Sequence, residues 1–146
     1  MGMTLTPTEN AAIAAIQNVI EGPTLRRHLL PVYRRAIKAG AHPHTGWCSH
    51  ASDALRRILG GNINKFRGYQ LERVSHEGGS HYYLRNDIGA IPDTTVAQFQ
   101  TVPPYHLGKP VGLATPRKIK ADHPGEMVQA PTNGAADILA ALSSLE

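Results

Sequence analysis

The chain holds one cysteine, Cys48, in the stretch GWCSHASDALRRILGG at residues 46–61. A lone thiol forms no internal disulfide, so it serves either as a small buried filler or as a reactive group. The residues after it repeat with helical spacing: Ala51, Ala54, Leu55, Ile58 and Leu59 share one face, Asp53, Arg56 and Arg57 lie outside it, and Gly60-Gly61 ends the run. Cys48 therefore falls at or just before a helix N-terminus. There the unpaired N–H groups and the positive end of the dipole favour a thiolate. A thiol nucleophile needs a base, and the base needs a third group to fix its orientation. His81 opens HYYLRND, and Asp93 follows the turn residues NDIG. If Arg85 faces Gly89 across that turn, the same register sets His81 opposite Asp93 on one face of a sheet. A slip of one residue would separate them.

The competing chemistry is metal binding. HPHTGWCSH places His42, His44, Cys48 and His50 close together, all of them zinc-ligand types. Their spacing matches no structural zinc signature, and Cys48 and His50 diverge once a helix begins. No metal and no cofactor is expected. His28, His76, His106 and His123 read as surface or core residues.

The elements that must position these groups are legible in outline. Thr6, Pro7 and Glu9 form a helix-start signal, as N-cap, first helical residue and reciprocal partner. Ala12, Ile13, Ile16, Val19 and Ile20 then share a face until Gly22-Pro23. A second helical region, TLRRHLLPVYRRAIKAG, turns Leu25, Leu29, Val32, Tyr33, Ala36 and Ile37 inward. Pro31 kinks or splits it, and Gly40 ends it. From residue 65 the pattern becomes strands: KFRGYQLERVS, SHYYLRND and GAIPDTTVAQF, separated by HEGG and NDIG. Beyond about residue 100 proline and glycine punctuate an irregular segment. The end of the chain suggests a short helix with Ile138, Leu139 and Leu142 on one side.

These readings predict a single α+β domain over residues 1–146: N-terminal helices at 1–40, a catalytic-type core at 41–116 with the Cys48 helix on a small antiparallel sheet, and a tail at 117–146. The length of 146 residues suffices for a real core. No apolar run is long enough to cross a bilayer, and MGMTLTPTEN has neither a secretory signal nor a proper myristoylation pattern. With one Cys, a reducing cytoplasm is the expected setting. The net charge of +4 comes from fifteen Lys and Arg spread along the chain, without a nucleic-acid-binding signature. The clusters Arg26-Arg27, Arg34-Arg35 and Arg56-Arg57 read as solvated helix faces, with docking to an acidic partner as their alternative use.

A helix-borne Cys, a strand-borne His and an Asp on the neighbouring strand resemble the papain-like and transglutaminase-like superfamily. G-W-C-S-H-A-S-D-A-L is similar to the Gly-x-Cys…Ala…Leu helix start of transglutaminase-like proteins, and HYYLRNDIGAIPDTT to their His-aromatic, turn, Asp-Pro-Thr segment. A closer resemblance is to short phage and bacterial proteins with Gly-Gly-Thr-His-Trp and Asp-Pro-Thr-Ala-Asp-Gln-Phe. This chain has Gly78-Gly79-Ser80-His81-Tyr82 and Asp93-Thr94-Thr95-Val96-Ala97-Gln98-Phe99, and PYHLGKPVGLAT resembles the segment that follows. The likeness covers roughly residues 44–116. It implies Cys48 as nucleophile, His81 as base and then acid, and Asp93 as orienter. The implied reaction is hydrolysis or acyl transfer at a peptide, isopeptide or other amide bond of a protein or peptide substrate, in a phage-encoded protein acting in its host. The alternative is a non-catalytic binding or regulatory module on the same fold, acting on a host or nucleic-acid partner. Thr94 stands where proline is usual, Pro92 precedes the Asp, and Tyr82 replaces tryptophan. Papain-type enzymes also carry a glutamine shortly before the cysteine as an oxyanion donor, and AHPHTGW has none. The backbone N–H of Cys48, with His44 or Trp47, is the expected substitute, and Tyr82 or Tyr83 is expected to line the cleft beside His81.

Overall fold

The computed structural model describes residues 5–59, 69–86, 88–110 and 131–143. The expected stop at Gly60-Gly61, the first residues of the first strand region and the stretch 111–130 lie outside them. Helix α1 (Pro7–Glu21) starts with the expected reciprocal cap: the Thr6 side chain accepts from the Glu9 N–H at 3.1 Å, and Glu9 Oε1 accepts from the Thr6 N–H at 2.9 Å. Glu9 is buried, and its other oxygen accepts from the Tyr69 hydroxyl at 2.9 Å and Asn86 Nδ2 at 3.1 Å. One carboxylate thus caps α1 and ties it to both strands of the central hairpin. Burial acts to raise its pKa, but these hydrogen bonds, led by the Thr6 backbone, hold it below the usual carboxylate range.

Pro31 splits the second helical region. A 3-10 turn at Arg26–His28 precedes α2 (Pro31–Lys38), which takes Pro31 in its first turn, where no intrahelical N–H is needed. Leu25, Leu29 and Ile37 are buried as expected, but Val32 is 41% exposed because the split turns it outward. Helix α3 (Cys48–Ile58) carries Ala51, Ala54 and Leu55 in the core, while Ile58 at its end is exposed. The basic pair in its last turn is not simply solvated: Arg56 and Arg57 pair with a buried Asp53 at 2.7 and 3.1 Å. Helix α4 (Pro131–Ser143) packs on α3 and α1, with Ala135 and Ile138 in the same core cluster.

The sheet has three antiparallel strands in the order β2-β1-β3, with β1 at Gln70–His76, β2 at Gly79–Arg85 and a two-residue β3 at Lys109–Pro110. His76 pairs with Gly79 around Glu77 and Gly78, both at positive φ (47° and 84°), which is the hairpin geometry that suits strand twist. The register places Leu71, Tyr82 and Leu84 on the helical core and Glu72, His81 and Tyr83 on the other face.

The third expected strand does not form. Residues 91–95 are irregular and lead into a 3-10 turn at Val96–Gln98. Helix α3 occupies the edge such a strand would need: Ser52 Oγ donates to the Tyr82 carbonyl at 3.2 Å, and Cys48 Sγ lies 4.0 Å from the Ser80 carbonyl. Four helix residues rise about 6 Å and two strand residues about 6.8 Å, so positions 48 and 52 match carbonyls 80 and 82. Pro92 also has no N–H to offer a ladder.

Candidate functional site

The same edge contact brings the thiol to the imidazole. Cys48 is the first residue of α3, so its backbone N–H and those of the next two residues have no carbonyl one turn earlier. His81 is fully buried on β2, its ring stacked near Tyr83 (centroids 5.7 Å, 27°) and met edge-on by Phe99 at 4.7 Å. His81 Nε2 lies 2.6 Å from Asp93 Oδ2, leaving Nδ1 without a strict hydrogen bond among the described residues. Burial alone would push the His81 pKa down. The hydrogen bond to Asp93 leads the opposing influences, the nearby Cys48 thiol and the charges of both groups add to it, and the ring is lifted from 6.5 to about 9.

His81 and Asp93 meet through their side chains, while the cross-strand pairing expected of them does not form. Asn86 makes the turn: its Oδ1 accepts from the N–H groups of Ile88 and Ala90, and its own N–H donates to the Ala90 carbonyl. The chain then leaves the sheet. Asp93 Oδ1 accepts from the Thr95 N–H at 3.1 Å, a local turn that fixes the carboxylate, while Gln17 of α1 donates to the Thr94 carbonyl. Asp93 Oδ2 also accepts from the Tyr105 hydroxyl at 2.7 Å. Burial, followed by the charge and hydrogen bond of Asp93, raises the Tyr105 pKa, so this phenol stays a donor.

Tyr105 is itself held. Its backbone carbonyl accepts from Arg85 Nη2 at 3.1 Å, and its ring meets Tyr83 edge-on at 4.9 Å. Arg85 and the Tyr83 hydroxyl both donate to Glu72. Tyr105 and Phe99 were absent from the expected site because neither shows a periodicity that places it; only the motif ending in Phe99 marked the second.

The thiol opens on a cleft of about 230 Å³ whose walls include Tyr33, Ser80, Tyr82, Gln98 and Phe99. Tyr82 lines it from the core side, whereas Tyr83 is the residue beside the His81 ring. His44 and Trp47 do not reach this cleft. His44 Nε2 turns to Glu21 at 2.9 Å, and the Trp47 indole is buried in the core against His50. Of the four zinc-ligand types, His42 and His44 meet edge-on at 4.4 Å, whereas His50 Nε2 meets the His28 carbonyl at 3.2 Å and Cys48 Sγ lies by the Ser80 carbonyl. No group of three metal-ligand side chains occurs among the described residues.

No family model, curated protein or solved structure matches this chain.

The loop before Cys48 depends on one glycine. Gly46 has φ +81°, and a Cβ there would sit 2.4 Å from Cγ of Tyr33. Gly46→Ala is expected to cost about 2–4 kcal/mol, combining left-handed backbone strain with overpacking against a ring. A lower urea midpoint at unchanged slope would record it.

Among the described residues, no helix is long and apolar enough to cross a membrane.

Proposed function

We propose that the protein is a cysteine hydrolase or acyltransferase with a papain-like or transglutaminase-like arrangement, acting on a peptide, isopeptide or other amide bond. The observation that carries this reading is the buried His81, held at 2.6 Å by Asp93 on one nitrogen and acted on by the thiol of a helix N-terminus. The likeness of residues 44–116 to the phage and bacterial proteins supports it, and so does the cleft beside the sulfur.

In the proposed reaction His81 takes the Cys48 proton, and the thiolate attacks the carbonyl carbon. A C–S bond forms as the carbonyl π pair moves to oxygen. The N–H groups at the start of α3 stabilise that oxyanion. Collapse breaks the C–N bond, and His81 protonates the departing amine. Water or a second amine, deprotonated by His81, attacks the thioester and releases Cys48. Asp93, fixed by Thr95 and Tyr105, keeps the ring oriented and stabilises its charged form.

The decisive experiment is to treat the protein with p-nitrophenyl acetate and locate the acyl group by peptide mass spectrometry. An acetyl thioester at Cys48, absent from Cys48→Ala, is the expected result. A protein that iodoacetamide alkylates at Cys48 but that accepts no acyl group would instead be a binding or regulatory module on this fold.

A further inference from the structure

The loop preceding Cys48 supplies no side-chain donor, yet the opposite wall of the cleft does. Gln98 lines the same cleft as Cys48 and Ser80, and its Nε2 is screened from solvent with no hydrogen-bond partner among the described residues. We infer that Gln98 is the side-chain oxyanion donor, a role that rests on the acyl-transfer reading above.

Its support is rigid on both sides. Upstream, the Gln98 N–H donates to the Thr95 carbonyl at 3.1 Å, and Thr95 is bonded to Asp93. Downstream, the ring of Phe99 packs edge-on against His81 and, at 4.9 Å, against His76. The Glu77 carboxylate at the hairpin tip then accepts from the N–H groups of Gln100 and Thr101, both at 3.0 Å, and from the Thr101 hydroxyl at 2.9 Å. The segment from Asp93 to Thr101 therefore delivers an orienting carboxylate, an amide donor and the ring against His81 from one continuous stretch. Those contacts hold the backbone that carries Gln98, and its unpartnered Nε2 is a donor still free for a carbonyl oxygen on which negative charge develops. The backbone N–H of Cys48, at the start of α3, is the natural second donor.

Two reagents separate this role from the others. Iodoacetamide reacts with the thiolate at a saturated carbon and forms no oxyanion, whereas p-nitrophenyl acetate passes through one. Gln98→Ala and the uncharged, similarly sized Gln98→Met are expected to lose acylation by about 100- to 1,000-fold, with alkylation of Cys48 kept within about threefold of the unaltered protein. If the variants acylate as well as the unaltered protein, Gln98 is not the donor and the triad reading stands. If they lose alkylation equally, Gln98 acts by holding Phe99 against His81, and the donor role falls. If the unaltered protein is alkylated but never acylated, the acyl-transfer reading falls and takes the donor role with it.

Discussion

His81→Ala is expected to slow acylation of Cys48 by about 1,000- to 10,000-fold near neutral pH, the upper part of the range for a positioned acid–base group. The magnitude follows from the burial of the pair. In the proposed reaction His81 serves both as acceptor of the thiol proton and as donor to the leaving group. Alkylation by iodoacetamide separates the first of these roles from the second. In the unaltered protein the ring beside the sulfur stays charged up to about pH 9. His81→Ala removes that ring, so alkylation of Cys48 at pH 6–7 should be slower than in the unaltered protein. His81→Gln, which retains hydrogen-bonding capacity in the buried site, guards against a loss caused by unfolding. Equal alkylation rates in all three proteins at pH 6–7 would make Cys48 a plain thiol.

Asp93→Asn is expected to be as severe, with a loss of about 10,000-fold near neutral pH, because it removes the group that orients the ring and favours its charged form. Its signature lies in the pH profile. The raised pKa of His81 keeps the imidazolium present as pH rises, so amide cleavage should decline only as pH passes about 9. With Asp93 neutralised, burial is the dominant remaining influence and acts in the opposite direction. The alkaline limb should then move down towards or below 6.5, the ordinary value for the ring. Tyr105→Phe removes one of the hydrogen bonds to the carboxylate but leaves its charge, so it should keep the limb near 9. A limb that stays near 9 in Asp93→Asn would show that another group titrates there.

Local chemistry made several elements readable. Thr6, Pro7 and Glu9 announce α1 because a reciprocal cap needs only residues within one turn. Pro31 and the glycine-bearing tip of the β1–β2 hairpin act through their own φ preferences, so the split helix and the tight turn are visible without any tertiary contact. Asp93 meets His81 although the strand register expected of it does not form, because the turn at Asn86 returns the chain whether or not a ladder follows. The missing third strand was beyond a sequence argument. The competition was with Cys48 and Ser52 of α3, which lie far away in the chain but match the spacing of the open carbonyls on β2.

The oxyanion candidates divide along the same line. His44 and Trp47 were attractive because they are close to Cys48 in sequence, but packing turns one to Glu21 and the other into the core. Gln98 and Tyr105 follow Cys48 by most of the molecule's hairpin and arrive by way of Glu77, Arg85 and the Asp93 turn. By itself the sequence determined that Cys48 starts a core-facing helix, that a hairpin carries His81, and that Asp93 follows a turn from it, since caps, turns and periodicity act over a few residues. Only the tertiary structure decided which edge of β2 the helix covers, which nitrogen of His81 faces Asp93, and which side chains complete the cleft. Those outcomes depend on side chains distant in sequence competing for the same backbone edge and the same buried volume.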